Sequence, residues 1–441
     1  MSHFPQRSVT TIVRRILLHL PMRYRRARMM GPRQSLLLLL SIIQSGMNRI
    51  GVRSAKLVLV RDLTRSCGWA GDAVPSVGAL CKALRKLTPA MLESVIQLGL
   101  LELNRTAGPV WLVHRRRLVA IDGVRINARR GSILARWLGL PKQGDGRKAH
   151  QPQALVVIAR CVASGVTLDQ EIVKHNGSER QATRKIIRRL AQMGPILVVM
   201  DRGIPARDII ASLLEMKIDF IVRMSGGQSA WKELSSHTTG PAKDAPVTLK
   251  LRDHHGKWAS VTLRAILTTR AGRGRPRCNR TPQRMLLLTN LTGKYWKTER
   301  IIAAYHRRWD IETQFREDKR LLGATKSHAT TKNGFINELL ALQIFRMIMA
   351  LAGLLCAAGT AKGIHLDNPR AKRLSTPQLI VMAWTIICRL MAKPMALERV
   401  LKIIAREIER DAEKRRPNRR FKRRCQGVEG AWKGKAERGL C

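Results

Sequence analysis

Acidic residues are what this chain has least of. Its 441 residues carry 30 Asp plus Glu against 82 Lys plus Arg, a formal net charge of +52. Residues 1–61 contain no acid at all and 12 Lys or Arg. A compact protein of that charge repels itself, so the imbalance implies a polyanionic partner, with nucleic acid ahead of an anionic membrane surface. Paired cysteines are also lacking. The eight, at 67, 81, 161, 278, 356, 388, 425 and 441, form no CxxC and no Cys/His cluster at zinc spacing. That argues against a zinc site and for reduced thiols in an intracellular protein. No cleavage-like signal segment opens the chain. The apolar runs at 35–43 and 347–361 fall short of the ~20 residues a membrane helix needs, and Arg346 and Arg389 interrupt their surroundings. The expectation is a cytoplasmic protein with no membrane partner, nucleoid-associated when bound to DNA.

What is present is enough apolar material for a folded protein: 45% of residues are hydrophobic, too many for a disordered basic chain. At this length several domains are expected. Residues 1–108 read as a helical DNA-binding region, with apolar positions at helix spacing in 9–20, 35–48 and 76–103 and basic residues between them. From about 115 short β runs alternate with helices. Leu118–Ile121 is an apolar run ending at Asp122-Gly123, followed by Ala154–Ala159 and a weaker strand at 166–173. Ser178 with Gln181 three residues on is a capping signature for a helix reaching Gln192. Ile196–Met200 then ends at Asp201, and a helix at 206–216 and a strand at 218–224 follow. The order β-β-β-α-β-α-β predicts a mixed sheet flanked by helices. Residues 226–296 read as a β-rich insertion, 331–410 as a helical C-terminal region, and 411–441 as a basic tail, in which 414–424 hold 8 basic residues and no acid.

Asp122 and Asp201 each follow an apolar strand. Taken singly, an Asp beside a Gly is an ordinary turn former. If the two strands are parallel neighbours, both carboxylates leave the sheet at the same edge, where α/β proteins place their sites. The most distinctive stretch is Tyr305-His-Arg-Arg308-Trp309-Asp-Ile-Glu312-Thr-Gln-Phe-Arg-Glu-Asp-Lys319. On one continuous helix of ~3.6 residues per turn, Arg308, Glu312 and Lys319 fall at ~300°, ~340° and ~320° from Tyr305. One face would then carry a carboxylate between two cations and a phenol, a poor face for a core and a suitable one for a phosphate backbone. A solvated helix with internal ion pairs is the plainer reading of the same spacing.

The pattern Tyr-x2-Arg-x3-Glu-x6-Lys resembles the Y-R-E-K signature of bacterial insertion-sequence transposases of the cut-and-paste IS-four superfamily. Ile121-Asp122-Gly123 and Met200-Asp201-Arg202-Gly203 resemble that family's first two acidic motifs. The resemblance covers roughly 115–325. It implies a ribonuclease H-like catalytic core (115–225 plus 297–330) interrupted by the insertion. With the helical regions on either side, the chain is expected to be a multidomain α/β protein, its C-terminal helical region serving synapsis or dimerisation. The resemblance implies a metal-binding catalytic triad of Asp122, Asp201 and Glu312, with Mg²⁺ or Mn²⁺ as the ion. Tyr305, Arg308 and Lys319 would hold DNA phosphates. The partners implied are double-stranded DNA, as terminal inverted repeats and as target, and a second copy of the chain in a synaptic homodimer. A freed 3′-hydroxyl would close a hairpin, which reopens before joining to target.

Two alternatives stand beside this: an inactive DNA-binding relative, and a nuclease of the same fold without strand transfer. The intact acidic and Tyr-Arg-Lys positions speak against decay. In this family an aromatic in the insertion stacks on a flipped base. Trp231, Trp258 and Trp296 are available, but no motif selects one, and a core tryptophan is the plainer reading of each. Residues 273–277, Arg-Gly-Arg-Pro-Arg, resemble an AT-hook core, with a solvated loop as the favoured reading.

Overall fold

The computed structural model describes residues 6–20, 31–44, 77–107, 111–113, 115–141, 149–224, 242–252, 258–269, 284–293, 295–359 and 376–392. The AT-hook-like stretch, Trp231 and the basic tail lie outside them. Helices α1 (Gln6–Leu18), α2 (Pro32–Gln44), α3 (Val77–Lys86) and α4 (Pro89–Ala107) come first. A nine-stranded sheet follows, built from β1 (Leu112–Val113), β2 (Arg116–Asn127), β3 (Gln153–Cys161), β4 (Thr167–Lys174), β5 (Ile196–Met200), β6 (Asp219–Arg223), β7 (Ala242–Arg252), β8 (Trp258–Thr269) and β9 (Arg284–Thr289). Its spatial order is β4-β3-β2-β5-β6-β9-β8-β7, with β1 paired to the start of β2. Strands β2, β3 and β4 are antiparallel, while β5 and β6 run parallel to β2. That mixed five-strand order, with helices between strands, is the ribonuclease H-like arrangement. The alternating segments of the β-rich stretch form β7, β8 and β9, which are hydrogen-bonded onto β6 through β9 and so extend the same sheet.

Helices α6 (Glu179–Leu190) and α7 (Arg207–Glu215) cover one face of the sheet, having come after α5 (Ser132–Leu138). The side chain of Ser178 accepts the Gln181 amide at 3.2 Å, which fixes where α6 begins. Val119, Ile121, Val198 and Met200 pack on this side against Ile186, Ile187, Ile209 and Leu213. The alternate residues Leu118, Ala120, Leu197 and Val199 face the other side. There they meet α8 (Thr298–His306) and α9 (Trp309–Leu321) through Ile301, Tyr305, Ile311 and Phe315. All five residues of β5 are buried, as expected of a strand covered on both faces.

Helix α10 (Lys332–Gly359) is the axle of the helical part. It packs on α1, α2, α3 and α4, and on α11 (Thr376–Ala392). Its stretch Lys332–Leu354 is long and apolar enough to cross a membrane, longer than the run the sequence suggests, and most of it is buried by the rest of the protein. Polar residues give it register. Asn337 donates to the Leu87 carbonyl at 2.7 Å, and Gln343 to the Thr167 carbonyl at 3.0 Å. A buried charge cluster joins three elements. Asp318 of α9 pairs with Arg160 of β3 at 2.9 Å and with Arg346 of α10, and Arg346 also donates to the Gln314 carbonyl at 3.2 Å. Arg160 sits over the Phe315 ring at 4.9 Å, adding a cation–π contact beneath α9.

Two local expectations change. Strand β2 does not end at Asp122 but pairs with β3 as far as Asn127; only its parallel pairing with β5 stops at Ile121. Gly123, which reads as a turn residue, lies within the strand. A Cβ there would meet Glu179 Oε1 at 2.1 Å, so glycine makes room for that side chain. The helix from 298 is also not continuous. Around Arg307 and Arg308 the hydrogen bonds shorten to three residues, from Arg308 N–H to the Tyr305 carbonyl, Asp310 to Arg307 and Ile311 to Arg308. A tightened turn advances ~120° per residue instead of ~100°, so the single face spanning Tyr305 to Lys319 is broken at Arg308.

Candidate active site

The parallel register of β2 and β5 pairs Ile121 with Met200. The next residue of each strand is Asp122 and Asp201, which places the two aspartates side by side at the carboxyl end of β5. Side chains alternate across a strand, and Leu118, Ala120, Leu197 and Val199 point to the α8–α9 face. By that alternation Asp122 and Asp201 belong to the same face, where α9 presents Glu312. Asp122, Gly123, Val124, Glu312, Phe315, Arg316, Lys319 and Arg320 line a groove of about 560 Å³.

Of these three carboxylates, Asp201 has the most partners. Tyr305 donates its hydroxyl to Oδ1 at 3.2 Å, Arg223 approaches the same oxygen at 3.3 Å, and Arg308 Nη2 lies 3.7 Å from Oδ2. Burial alone would raise its pKa, but Arg308, the Arg202 amide, Arg223 and Tyr305 outweigh burial and hold the carboxyl below its ordinary value. Among the described residues, Asp122 accepts a hydrogen bond from the Gly123 amide alone, on Oδ1 at 2.9 Å. Burial, aided by the negative charges of Glu179 and Glu312, pushes it up to about 6 against the pull of Gly123 and Arg308. Tyr305 is driven up to about 12, first by burial and then by Asp201, so it remains a proton donor at neutral pH.

Arg308 stands among these groups. Its Nη2 is 2.8 Å from Glu312 Oε1 while also facing Asp201, and the side chain is 3% exposed against 46% for Glu312. Burial works against its charge, but Tyr305, Asp201 and Glu312 together hold its pKa above the usual value. Its ring neighbour is Tyr305, whose centroid lies 5.8 Å from the guanidinium carbon. Tyr305 and Arg308 are therefore buried against the carboxylates, whereas Lys319 is exposed and lines the groove with Arg316 and Arg320.

Among the described residues, no three acidic, His or Cys side chains are gathered closely enough to form a metal-holding group. Two of the three predicted carboxylates converge on Arg308 instead. The residues still fit a hard divalent cation in kind, because Asp122, Asp201 and Glu312 offer only carboxylate oxygens. Arg308 also makes the point directly, being a cation that two of them already hold. Arg223 and Glu179 complete the surroundings without being singled out in the sequence reading. Arg223 had a readable signal, since it ends the third parallel strand one residue beyond the Met200–Val222 pair. Of the tryptophans, Trp296 is 3% exposed and Trp258 is 53% exposed with Arg252 over its ring at 5.0 Å.

The transposase DDE domain family matches residues 114–348, more than half of the chain. No curated protein matches the sequence. Among solved structures, a chain of a cryo-EM piggyBac transposase synaptic complex with hairpin DNA aligns with a TM-score of 0.43 and 10% identity, over 94% of this chain and 85% of that one.

Proposed function

The chain belongs to the transposase DDE domain family and is a DNA transposase, and from that premise we propose that Asp122, Asp201 and Glu312 are its catalytic carboxylates. The family works with divalent metal ions, and an all-oxygen donor set suits Mg²⁺ or Mn²⁺. A pair of such ions held by these carboxylates would supply activation of the attacking oxygen and charge neutralisation at the leaving oxygen. The observation that carries the reading is the register Ile121–Met200, which sets Asp122 beside Asp201 on the face where α9 carries Glu312. The chain's own cations do the positioning. Lys319, with Arg316 and Arg320, lines the groove next to Asp122 and Glu312 and is placed to draw in phosphates. Tyr305 keeps its proton and orients Asp201. Tyr305 and Arg308 reach DNA only by exchanging a carboxylate contact for a phosphate one.

The proposed reaction is cut and paste. A 3′-hydroxyl is freed at the element's end, attacks the opposite strand to close a hairpin, and after reopening attacks target DNA. A homodimer holds the two terminal inverted repeats together, and the helical region 1–108 contributes to DNA binding. The test is a denaturing-gel time course on an end-labelled terminal-repeat duplex in Mg²⁺. Asp122→Asn, Asp201→Asn and Glu312→Gln should each abolish nicked, hairpin and joined products while leaving duplex binding intact. Near-normal cleavage by any one variant removes that residue from the set. Cleavage without hairpin or joined product in the wild type would make the protein a nuclease.

A further inference from the structure

Arg308 does something that a phosphate-gripping arginine on an exposed helix face does not. One nitrogen, Nη2, stands between carboxylates from two different elements, Glu312 of α9 at 2.8 Å and Asp201 after β5 at 3.7 Å. The side chain is 3% exposed, and its Nε is buried with no hydrogen-bond partner. A buried donor without a partner is a standing cost, so the guanidinium occupies this place for its charge and not for a full set of hydrogen bonds. We propose that Arg308 is a resident stand-in for the divalent ion, holding Asp201 and Glu312 together in the metal-free protein and yielding them when an ion binds. The proposal rests on the reading that these carboxylates hold metal.

Three features support it. Carboxylates brought together without a cation repel one another, and Arg308 offsets that repulsion in the absence of metal. A divalent ion bound to the same oxygens at ~2.0–2.1 Å would stand within a few ångströms of the guanidinium, and like charges that close repel. Ion and guanidinium therefore compete. Finally, Arg308 lies in the tightened turn between α8 and α9, beside a groove whose other cations face outward. A DNA phosphate entering that groove offers the guanidinium a bidentate partner in place of the carboxylates. DNA would thereby favour metal loading and metal would favour DNA, by the same factor.

The experiment measures Mn²⁺ binding to the full-length chain without DNA, from the free-Mn²⁺ electron paramagnetic resonance signal, with thermal melting in EDTA and in Mn²⁺ alongside. Arg308→Gln should bind Mn²⁺ roughly ten- to a hundredfold more tightly than wild type, the range set by losing one charge-assisted contact to the competitor. It should melt below wild type in EDTA and regain that loss in Mn²⁺. A merely structural arginine would lower the melting point in both conditions and leave Mn²⁺ affinity unimproved, which overturns the proposal. Arg308→Lys keeps the charge but cannot fork between two carboxylates. It should fall between the two, and affinity equal to wild type in that variant also overturns the proposal, whether or not Arg308→Gln folds. Glu312→Gln separates the two failures. If it abolishes Mn²⁺ binding while Arg308→Gln does not tighten it, the carboxylates hold metal and Arg308 is no stand-in. If it leaves binding unchanged, the metal reading itself has failed and takes this proposal with it.

Discussion

Asp318 is the residue whose loss should be felt most widely. It lies on α9 about one and two-thirds turns beyond Glu312 and accepts from two arginines that belong to other elements, Arg160 of β3 and Arg346 of α10. The three side chains are between 2% and 6% exposed. Burial draws the Arg160 guanidinium down from its ordinary pKa, with Asp318 opposing that pull. Replacing Asp318 with Asn keeps the shape but leaves two buried cations facing one another without an anion. Removing one partner of a buried ion pair costs ~3–5 kcal/mol, and with two cations stranded the upper end of that range is expected. The assay is equilibrium urea unfolding followed by tryptophan fluorescence, with the midpoint and slope fitted together so that a changed slope is not mistaken for a changed stability. A loss under about 1 kcal/mol would refute the reasoning, because the cluster would then be solvated or able to reorganise cheaply. The triple variant Arg160→Met, Asp318→Leu, Arg346→Met supplies the complementary test. Buried ionic clusters replaced by apolar side chains of similar volume often lose nothing, so the triple variant should recover most of the stability that Asp318→Asn loses.

Glu338 of α10 accepts the His328 amide at 3.2 Å, and burial raises its pKa from 4.5 to about 7. Between those values the folded state keeps a proton that the unfolded chain has lost, so its contribution to stability is present at low pH and is lost as pH rises through about 7. Glu338→Gln should accordingly gain about 2 kcal/mol on wild type at pH 8 relative to pH 4.5, partial solvent access moderating the full shift; equal pH profiles for the two proteins would count against the burial argument. Lys319→Ala should lower duplex affinity evenly across sequences and reduce the slope of log K against log salt by about 1. A slope equal to that of wild type would mean that Lys319 faces no phosphate.

The pairing of Asp122 with Asp201 is legible in the sequence, because two apolar runs each ending in Asp need only be parallel neighbours to bring the carboxylates together. The strand–helix order from 116 to 223 is legible for the same kind of reason: Ser178 marks a helix start, and Ile196–Met200 is too short and too apolar to be anything but a covered strand. The burial of Arg308 is not legible. A helical wheel assumes a uniform advance per residue, and it cannot show the tightened turn at Arg308 or the charge of Asp201, from another element, that faces the guanidinium. The extent of β2 is hidden by Gly123, whose local preference is for a turn and whose actual role is to admit Glu179. The joining of β9 to β6 and the packing of α10 on α1, α2 and α4 leave no local trace, since each contact spans dozens to hundreds of residues.

That last packing has a consequence in time. Helices α1 to α4 finish at Ala107, and the helix that covers their apolar sides begins at Lys332. Chains emerge during synthesis at ~5–20 residues per second, so the roughly 220 residues between them take on the order of 10–45 s to appear. For that interval Ile16, Leu36, Leu40 and Leu92, all fully buried in the finished protein, have no α10 to pack against. Until α10 is made, the segments that form those helices are cationic and have uncovered apolar residues. A contact between such distant segments also delays folding, because the loop must close before the packing can repay it. The return of α10 to helices made long before it is thus a late event in making this protein. A chain stopped anywhere before residue 332 would carry the apolar surface that draws such fragments into aggregates.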